Sequence, residues 1–539
     1  MEIDAARCYR AALSKDRRFD GRFFTGVVTT GIYCRPVCPV VPPKFENMRF
    51  YACAAAAEAA GFRPCKRCRP ETAPGTPAWL GTSAVVSRGL RLISEGGLDD
   101  GNLEALAARL GMGERQLRRL FAQHLGASPL DVARARRVHF ARNLIDQTDL
   151  AFAEIAHSAG FHSIRQFNHA LKETFRETPT ALRGRRTRRG EARKTALGEG
   201  SAAAILVKLP YRPPLAWTAM LDFLAHRAIP GVESAADGCY RRTIEADGAV
   251  GVIEVTAGDA DTGRAPKTSA HLAPHHAPHL AMRVELPHCR NLIGIVERAR
   301  RIFDLGADPT RIGEHLSRDA QLAPLVAATP GLRVPGAWDP FELAVRGVLG
   351  QQITVKGATT LAGRLVRAFG EPLENPSGAL THLFPRAEVM AEADLFAIGM
   401  PRARAAALRN VAAAAASGRL VFDAALGLDD AVQRLCAIPG FGPWTAHYIA
   451  MRALAEPDAF PETDIGVRRA LGTGGGLASV AEVRKRAEAW RPWRSYAVIH
   501  LWYGMTRTAS RPAADSPARS AARAADHEAP RSAAHTDAR

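Results

Sequence analysis

Four cysteines in two close pairs offer one chemistry, and a glycine-rich turn with an aspartate downstream offers another. Cys34 and Cys38 lie in CRPVC, Cys65 and Cys68 in CKRC. Two close pairs parted by a longer insert suit a tetrahedral Zn2+ site, each pair spanning one edge. Zn2+ keeps thiolates deprotonated at neutral pH, and a thiolate is the competent nucleophile. A purely stabilising zinc on four cysteines would use the same spacing. Cys8 and Cys53 lack it and read as packing residues. The second string is LCAIPGFGPWTA, Leu435–Ala446, followed by Asp464 in FPETDIG. Gly440 and Gly442 permit positive φ and expose successive backbone N–H groups, and with Thr445 they open a helix that can hold a DNA phosphate. An ordinary helix–helix connection also uses a GxG. Asp464, before an apolar run, also suits a helix N-cap.

These groups need a large scaffold. The chain has 539 residues, too many for one core, so three or four domains are expected. A net charge of +18 favours a polyanionic partner, most simply double-stranded DNA, although a genome rich in Arg and Ala codons gives the same balance. No long apolar run suits a membrane helix and MEIDAARCYR lacks a signal-peptide core, so a cytoplasmic, nucleoid-associated protein without membrane partners is expected. Six of nine cysteines fall within the first 68 residues, which favours metal or reactive thiolates over disulfides.

The middle of the chain carries two helix-turn-helix patterns. In LEALAARLGMGERQLRRLF, Gly111 marks the turn and Arg115, Gln116, Arg118 and Arg119 follow on the second helix. In AEIAHSAGFHSIRQFNHALKETF, Gly160 marks the turn and Ser163, Arg165, Gln166 and Asn168 are placed on the next helix. Arg, Gln and Asn suit base edges in the major groove. A polar solvated face on a small bundle is the plainer reading of either unit alone. The two units together, including GFHSIRQFNHALKETFRETP, resemble the AraC-type DNA-binding domain.

TTGIYCRPVCP and GFRPCKRC resemble the N-terminal domain of the Ada methylation-response proteins, from Arg22 through Pro70. That resemblance implies a structural zinc of which one ligand, here Cys34, also accepts a methyl group from a DNA methylphosphotriester. Methylating Cys34 takes the four-thiolate zinc cluster from −2 to −1, so tighter promoter binding is expected to follow.

The hairpin string with Asp464 resembles the helix-hairpin-helix DNA glycosylases. Over Tyr211–Tyr503 the chain is similar to the AlkA-type 3-methyladenine DNA glycosylases, through YRPPLAWTAMLDFLAHRA, LRVPGAWDPFELAVRGVLGQQITV and WRPWRSYAVIHLWY. The resemblance implies Asp464 as the catalytic carboxylate, with Trp444, Tyr448 and Trp502 as an aromatic base pocket that Phe223 joins. Ordinary core packing is the alternative for each ring. Bifunctional members carry a lysine where this chain has Trp444, so no lyase activity is expected. The residue filling the gap left by a flipped base is Gln352 by position, with Ile353 as the alternative. Related proteins also hold a monovalent cation on hairpin carbonyls, here near Leu435–Ile438.

Pro287-His288-Cys289-Arg290 inverts the Cys-His order of an O6-alkylguanine methyltransferase site, so no such activity is expected and Cys289 is read as buried. No P-loop or dinucleotide fingerprint is present, so no nucleotide cofactor is expected. The expected fold class is multidomain, mainly α with α+β parts. It comprises a zinc-bound α/β domain at 1–77, a double helix-turn-helix at 83–183 and a basic linker at 184–203. An AlkA-like α/β subdomain at 204–288, an all-helical helix-hairpin-helix glycosylase domain at 289–505 and a disordered tail at 506–539 follow. The expected function is a methyl-accepting activator of alkylation-repair genes, with RNA polymerase as partner, fused to a glycosylase. The alternative is a regulator on a silent glycosylase scaffold.

Overall fold

A computed structural model describes residues 4–74, 84–188, 204–258, 278–423, 425 and 427–510. Most of the basic linker and most of the expected tail lie outside these residues. The last helix, Arg494–Ser510, runs five residues past the expected domain end at 505.

The N-terminal sheet has four short strands in the order Met48–Tyr51, Phe24–Val27, Ile32–Cys34 and Arg63–Pro64. The last two pair in parallel with Tyr33 opposite Pro64. That register sets Cys34 beside Cys65, residues 31 positions apart in sequence. Phe24 and Tyr33 close a small core beneath, with ring centroids 5.8 Å apart.

Both helix-turn-helix units form as expected. Leu103–Arg109 turns at Gly111 (φ +71°) into Glu114–Leu125, and Phe152–Ser158 turns at Gly160 (φ +77°) into Ile164–Phe175. A long helix, Pro129–Gln147, joins them. Ser128 and Asp131 start it with a reciprocal capping box, satisfying two otherwise orphaned amides.

Residues 204–286 supply a five-stranded antiparallel sheet in the order Ile205–Pro210, His279–Glu285, Ala249–Ala257, Cys239–Ala246, Glu233–Ala236. The alternation of side chains places Val207, Met282, Val255 and Tyr240 in one buried row. The remainder is helical, as expected, with one addition: a two-stranded hairpin, Pro372–Ser377 and Leu380–His382. Its Thr381 amide donates to Gly231 O at 2.8 Å, which docks it on the α/β part.

The halves share packing. One buried cluster joins Val138 and Leu144 of the connecting helix, with Phe167 and Leu171 of the second helix-turn-helix unit, to the five-stranded sheet. Elsewhere ion pairs tie the N-terminal half to the C-terminal helices, Arg22–Asp308, Arg301–Glu95 (2.6 Å) and Arg109–Asp423 (3.1 Å). Among the described residues no helix is long and apolar enough to cross a membrane.

Candidate functional site

The helices Leu428–Cys436 and Pro443–Arg452 meet through the turn that carries Gly440 and Gly442. Gly440 has φ +112°, and a Cβ there would sit 3.0 Å from the Ala407 Cβ. Glycine is required on both counts. Gly442 is the N-cap without a side-chain cap bond, and Pro443 opens the helix. The amides of Trp444 and Thr445, in the first turn, have no acceptor four residues back within the helix. The Thr445 side chain itself is buried, so only its backbone is offered to a ligand. Its hydroxyl accepts from Gln351 Nε2 at 3.1 Å, and the same amide group donates to Gly440 O at 3.0 Å. Gln351, which sequence reasoning missed beside Gln352, therefore clamps the hairpin.

Asp464 lies across an open cleft of about 1980 Å³ whose lining also includes Gln352, Trp444, Tyr448 and Trp502. It is the N-cap of Ile465–Leu471, and more than that. Oδ1 accepts from Val467 N at 2.8 Å and from Trp502 Nε1 at 2.9 Å; Oδ2 accepts from Trp444 Nε1 at 2.9 Å. Two indoles and one helix amide thus fix the carboxylate. Gly466 leaves room beside it: a Cβ would lie 3.0 Å from Asp464 Oδ1 and 3.2 Å from the Trp502 ring, so one of these held groups would have to shift. The rings of Trp444 and Tyr448 stack at 5.2 Å with a 9° interplanar angle. Burial alone would raise the Tyr448 hydroxyl, but the charges of Arg452, Arg227 and Arg346 bring it below its ordinary value.

Phe223 is a correction. It does not line the cleft. Its ring packs beneath, with the guanidinium carbons of Arg227 and Arg452 at 3.8 and 5.0 Å from its centroid. Gln352 is exposed with φ +58°, at the tip between Pro340–Leu349 and Val355–Phe369, and Ile353 beside it is 37% exposed. Both candidates for the wedge stand at the cleft rim. The hairpin carbonyls of Leu435 and Ile438 accept from Ile438 N and Phe441 N at 3.0 and 3.1 Å.

The sulfurs of Cys34, Cys38, Cys65 and Cys68 all lie within 4.8 Å of one another. Tetrahedral Zn–S bonds require sulfurs about 3.8 Å apart, so the set fits the ion with little movement. The Arg35 and Arg67 amides donate to the sulfurs of Cys68 and Cys65 at 3.3 and 3.4 Å, as thiolates accept. Cys38, Cys65 and Cys68 are buried, and Cys34 alone is half-exposed. Cys8 and Cys53 are packing residues, and burial pushes both thiols up to about 11. Cys289 is half-buried rather than buried, its carbonyl accepting from Ser158 Oγ.

Arg115, Gln116, Arg118 and Arg119 are exposed on Glu114–Leu125, and Arg165, Gln166 and Asn168 on Ile164–Phe175. Arg118 is partly held by Glu114 at 2.6 Å. Ser163 precedes its helix instead of lying on it: it is the N-cap, accepting from Gln166 N at 3.2 Å.

Sequence reasoning also missed a buried ion network under the cleft. Arg242, inward-facing on the five-stranded sheet, meets Glu342 at 2.8 Å and Glu233 at 3.3 Å, and Arg346 pairs with the same two carboxylates. Charged residues at inward strand positions, as in CYRRTIEA, are the only signal it leaves.

Residues 7–71 match the family described as the metal binding domain of Ada, residues 106–185 a helix-turn-helix domain, and residues 206–339 the AlkA N-terminal domain. A Mycobacterium tuberculosis protein named "Probable bifunctional transcriptional activator/DNA repair enzyme AlkA" is 45% identical over 502 residues, spanning 93% of this chain and 97% of its own. DNA-3-methyladenine glycosylase 2 of Escherichia coli is 36% identical over 55% of this chain and 96% of its own. The bifunctional transcriptional activator/DNA repair enzyme Ada of Escherichia coli is 34% identical over 32% of this chain and 48% of its own.

Proposed function

The chain belongs to the family of bifunctional transcriptional activator/DNA repair enzymes of the AlkA type, and from that premise we propose that its two halves carry out two alkylation chemistries on double-stranded DNA. The C-terminal half is a DNA glycosylase that hydrolyses the N-glycosidic bond of alkylated bases such as 3-methyladenine. The observation that carries this reading is Asp464, fixed by three N–H donors at the edge of an aromatic-lined cleft. As the base leaves, positive charge grows on C1′, and a preorganised carboxylate stabilises it and positions water. The target base must leave the helix stack to reach the cleft. Trp444, Tyr448 and Trp502 offer faces suited to a cationic methylated ring. Gln352 or Ile353 fills the vacated stack, and the amides following Gly440 and Gly442 hold a phosphate. With Trp444 where bifunctional relatives place lysine, the enzyme releases the base without cutting the strand.

The N-terminal half is the sensor. Cys34, Cys38, Cys65 and Cys68 hold one Zn2+, whose chemistry is to keep the thiols ionised. The Cys34 sulfur attacks the methyl carbon of a methylphosphotriester; the S–C bond forms, the C–O bond breaks, and the phosphodiester departs as an anion. Its greater exposure supports Cys34 as the acceptor. The reaction is stoichiometric, and the loss of one negative charge strengthens DNA binding. Arg115, Gln116, Arg118, Arg119, Arg165, Gln166 and Asn168 read promoter bases, and the bound protein recruits RNA polymerase. The units are 1–77, 83–183, 204–288 and 289–505, with a monovalent cation at the hairpin carbonyls.

Free-base release from methylated duplex DNA tests the enzyme half. Wild type should release methylpurines, and Asp464→Asn should not while still binding abasic-site DNA. Equal release by both proteins would end this assignment of Asp464. No release by either would leave a regulator on a silent scaffold.

A further inference from the structure

The sensor half and the cleft sit at opposite ends of one helix. At the start of Pro443–Arg452 stand Gly440 and Gly442, both on the cleft lining. Just past its end, the Leu454 carbonyl accepts from Arg91 of the sensor helix Ala84–Ser94. Glu456, 4% exposed, pairs there with Arg91 at 3.5 Å and Arg88 at 3.7 Å. The helix has 10 residues and is about 15 Å long. The five-stranded sheet repeats the separation independently. Its edge strand Ile205–Pro210 meets the connecting helix Pro129–Gln147, with Lys208 N donating to Gln147 Oε1 at 2.9 Å. Its opposite edge strand, Glu233–Ala236, supplies Glu233 to the cleft-lining Arg346. Four strand spacings of about 4.8 Å part these edges, roughly 19 Å in all. The shared core makes the join one packed body. The base-reading side chains stay outside it. Arg115, Arg119, Arg165 and Asn168 are exposed, and among the described residues none forms a side-chain hydrogen bond or ion pair with the C-terminal half.

We infer that the two DNA-binding surfaces are filled at the same time by two separate duplex segments, an undamaged one on the helix-turn-helix units and a damaged one at the cleft, so that one chain bridges them. This rests on the glycosylase and promoter-reading assignments proposed above. Duplex DNA is stiff, with a persistence length of about 50 nm, so a straight segment lies along one side of a single protein chain. For one continuous segment to reach both surfaces, it must bend around the docked sensor within a few helical turns. Two segments need no such bend. The net charge of +18 attracts both phosphate backbones, and the cleft lining includes none of the base-reading side chains. Bridging has a consequence for the search. A chain held on one segment meets a second segment of the same DNA molecule at an effective concentration set by the intervening DNA, without leaving the first.

The test mixes the full-length protein with two short duplexes at about 200 mM salt, where non-specific attraction is weak. One duplex carries fluorescein and a tetrahydrofuran abasic analogue for the cleft. The other carries biotin, is undamaged and is enriched by the full-length protein from a random-sequence pool. Streptavidin beads should retain fluorescein only when the protein is present, and mass photometry should show one chain with two duplexes. Saturating either duplex should change the affinity for the other by less than about threefold, since the surfaces do not overlap. Excess unlabelled abasic duplex should release the fluorescein and leave the protein on the beads. In Arg165→Ala the undamaged duplex should bind about tenfold more weakly, the scale of one lost base contact. Displacement of one duplex by the other, with one duplex per chain, would overturn the inference while both binding assignments survive. Bridged complexes that always contain two chains would overturn it as well. If Arg165→Ala holds the undamaged duplex as tightly as wild type does, the promoter-reading assignment fails and the inference goes with it. If the abasic duplex is not bound at all, the glycosylase reading fails, again with the inference.

Discussion

The thiol centre and the carboxylate centre treat their reactive atoms in opposite ways. The four sulfurs converge within 4.8 Å, three of them buried, which leaves Cys34 as the accessible one. Asp464 has donors on both oxygens: Trp444, Trp502 and Val467 hold it in place. A sulfur left open can make a bond and be consumed. A carboxylate held by three N–H groups is a poor nucleophile but a well-placed charge, and it can serve again. In the function proposed above, one chain pairs a single-use acceptor with a turnover site, and the difference lies in what surrounds each reactive atom.

The sharpest break of this comparison is Asp464→Asn. Base release should fall by about a hundred- to a thousandfold, the scale for losing a preorganised electrostatic group, while methyl transfer to Cys34 continues. Cys38→Ser probes the other side. Zinc measured by atomic absorption should drop from one per chain to none and methyl acceptance should vanish, because the site's binding energy is also folding energy for the N-terminal domain. Base release should persist, unless the shared core of the two halves carries the damage across.

Trp502→Phe removes one of the three donors to Asp464 and keeps the ring. A charge-assisted hydrogen bond contributes about 1.5–3 kcal/mol, so single-turnover release should slow by about ten- to a hundredfold. No slowing would mean that the indole N–H is incidental and the comparison between the two centres overstated.

The smallest effect concerns acid. His500 is buried on the helix that carries Trp502, and desolvation lowers its pKa to about 4. The native state keeps it neutral, whereas the unfolded chain protonates it near pH 6.5. Stability from this group is full above about pH 6.5 and is lost as pH falls toward 4, in total about 3 kcal/mol. In His500→Gln, unfolding followed by a helical signal should depend less steeply on pH between 6.5 and 4. An unchanged slope would remove His500 from the account.

The two centres are also unequally legible in the sequence. The quartet lies within 35 residues, and short-range spacing is what a ligand pattern records. Its parallel register, Tyr33 opposite Pro64, adds detail without changing the assignment. The cleft is assembled from positions 227 to 506, so only its locally patterned parts are readable: the hairpin, Asp464 and its rings. Phe223 is misplaced by sequence reasoning because a helical register gives a face but not a neighbour, and Arg227 and Arg452 cover that ring. Ser163 is misplaced by one residue, since an N-cap and a first helical residue look alike until the φ angle is known. Gln351 and Arg242 go unread because their partners, Gly440 and Glu342, are 89 and 100 residues away. The shared core between the second helix-turn-helix unit and the sheet has no local sign at all.

The most direct test of two independent chemistries uses duplex DNA carrying radiolabelled methyl groups. Label is counted in released bases and on the polypeptide for wild type, Asp464→Asn and Cys34→Ala. Asp464→Asn should lose only the released bases, and Cys34→Ala should lose only the protein label. Loss of both signals in either variant, or label on Cys34→Ala equal to wild type, would contradict that independence.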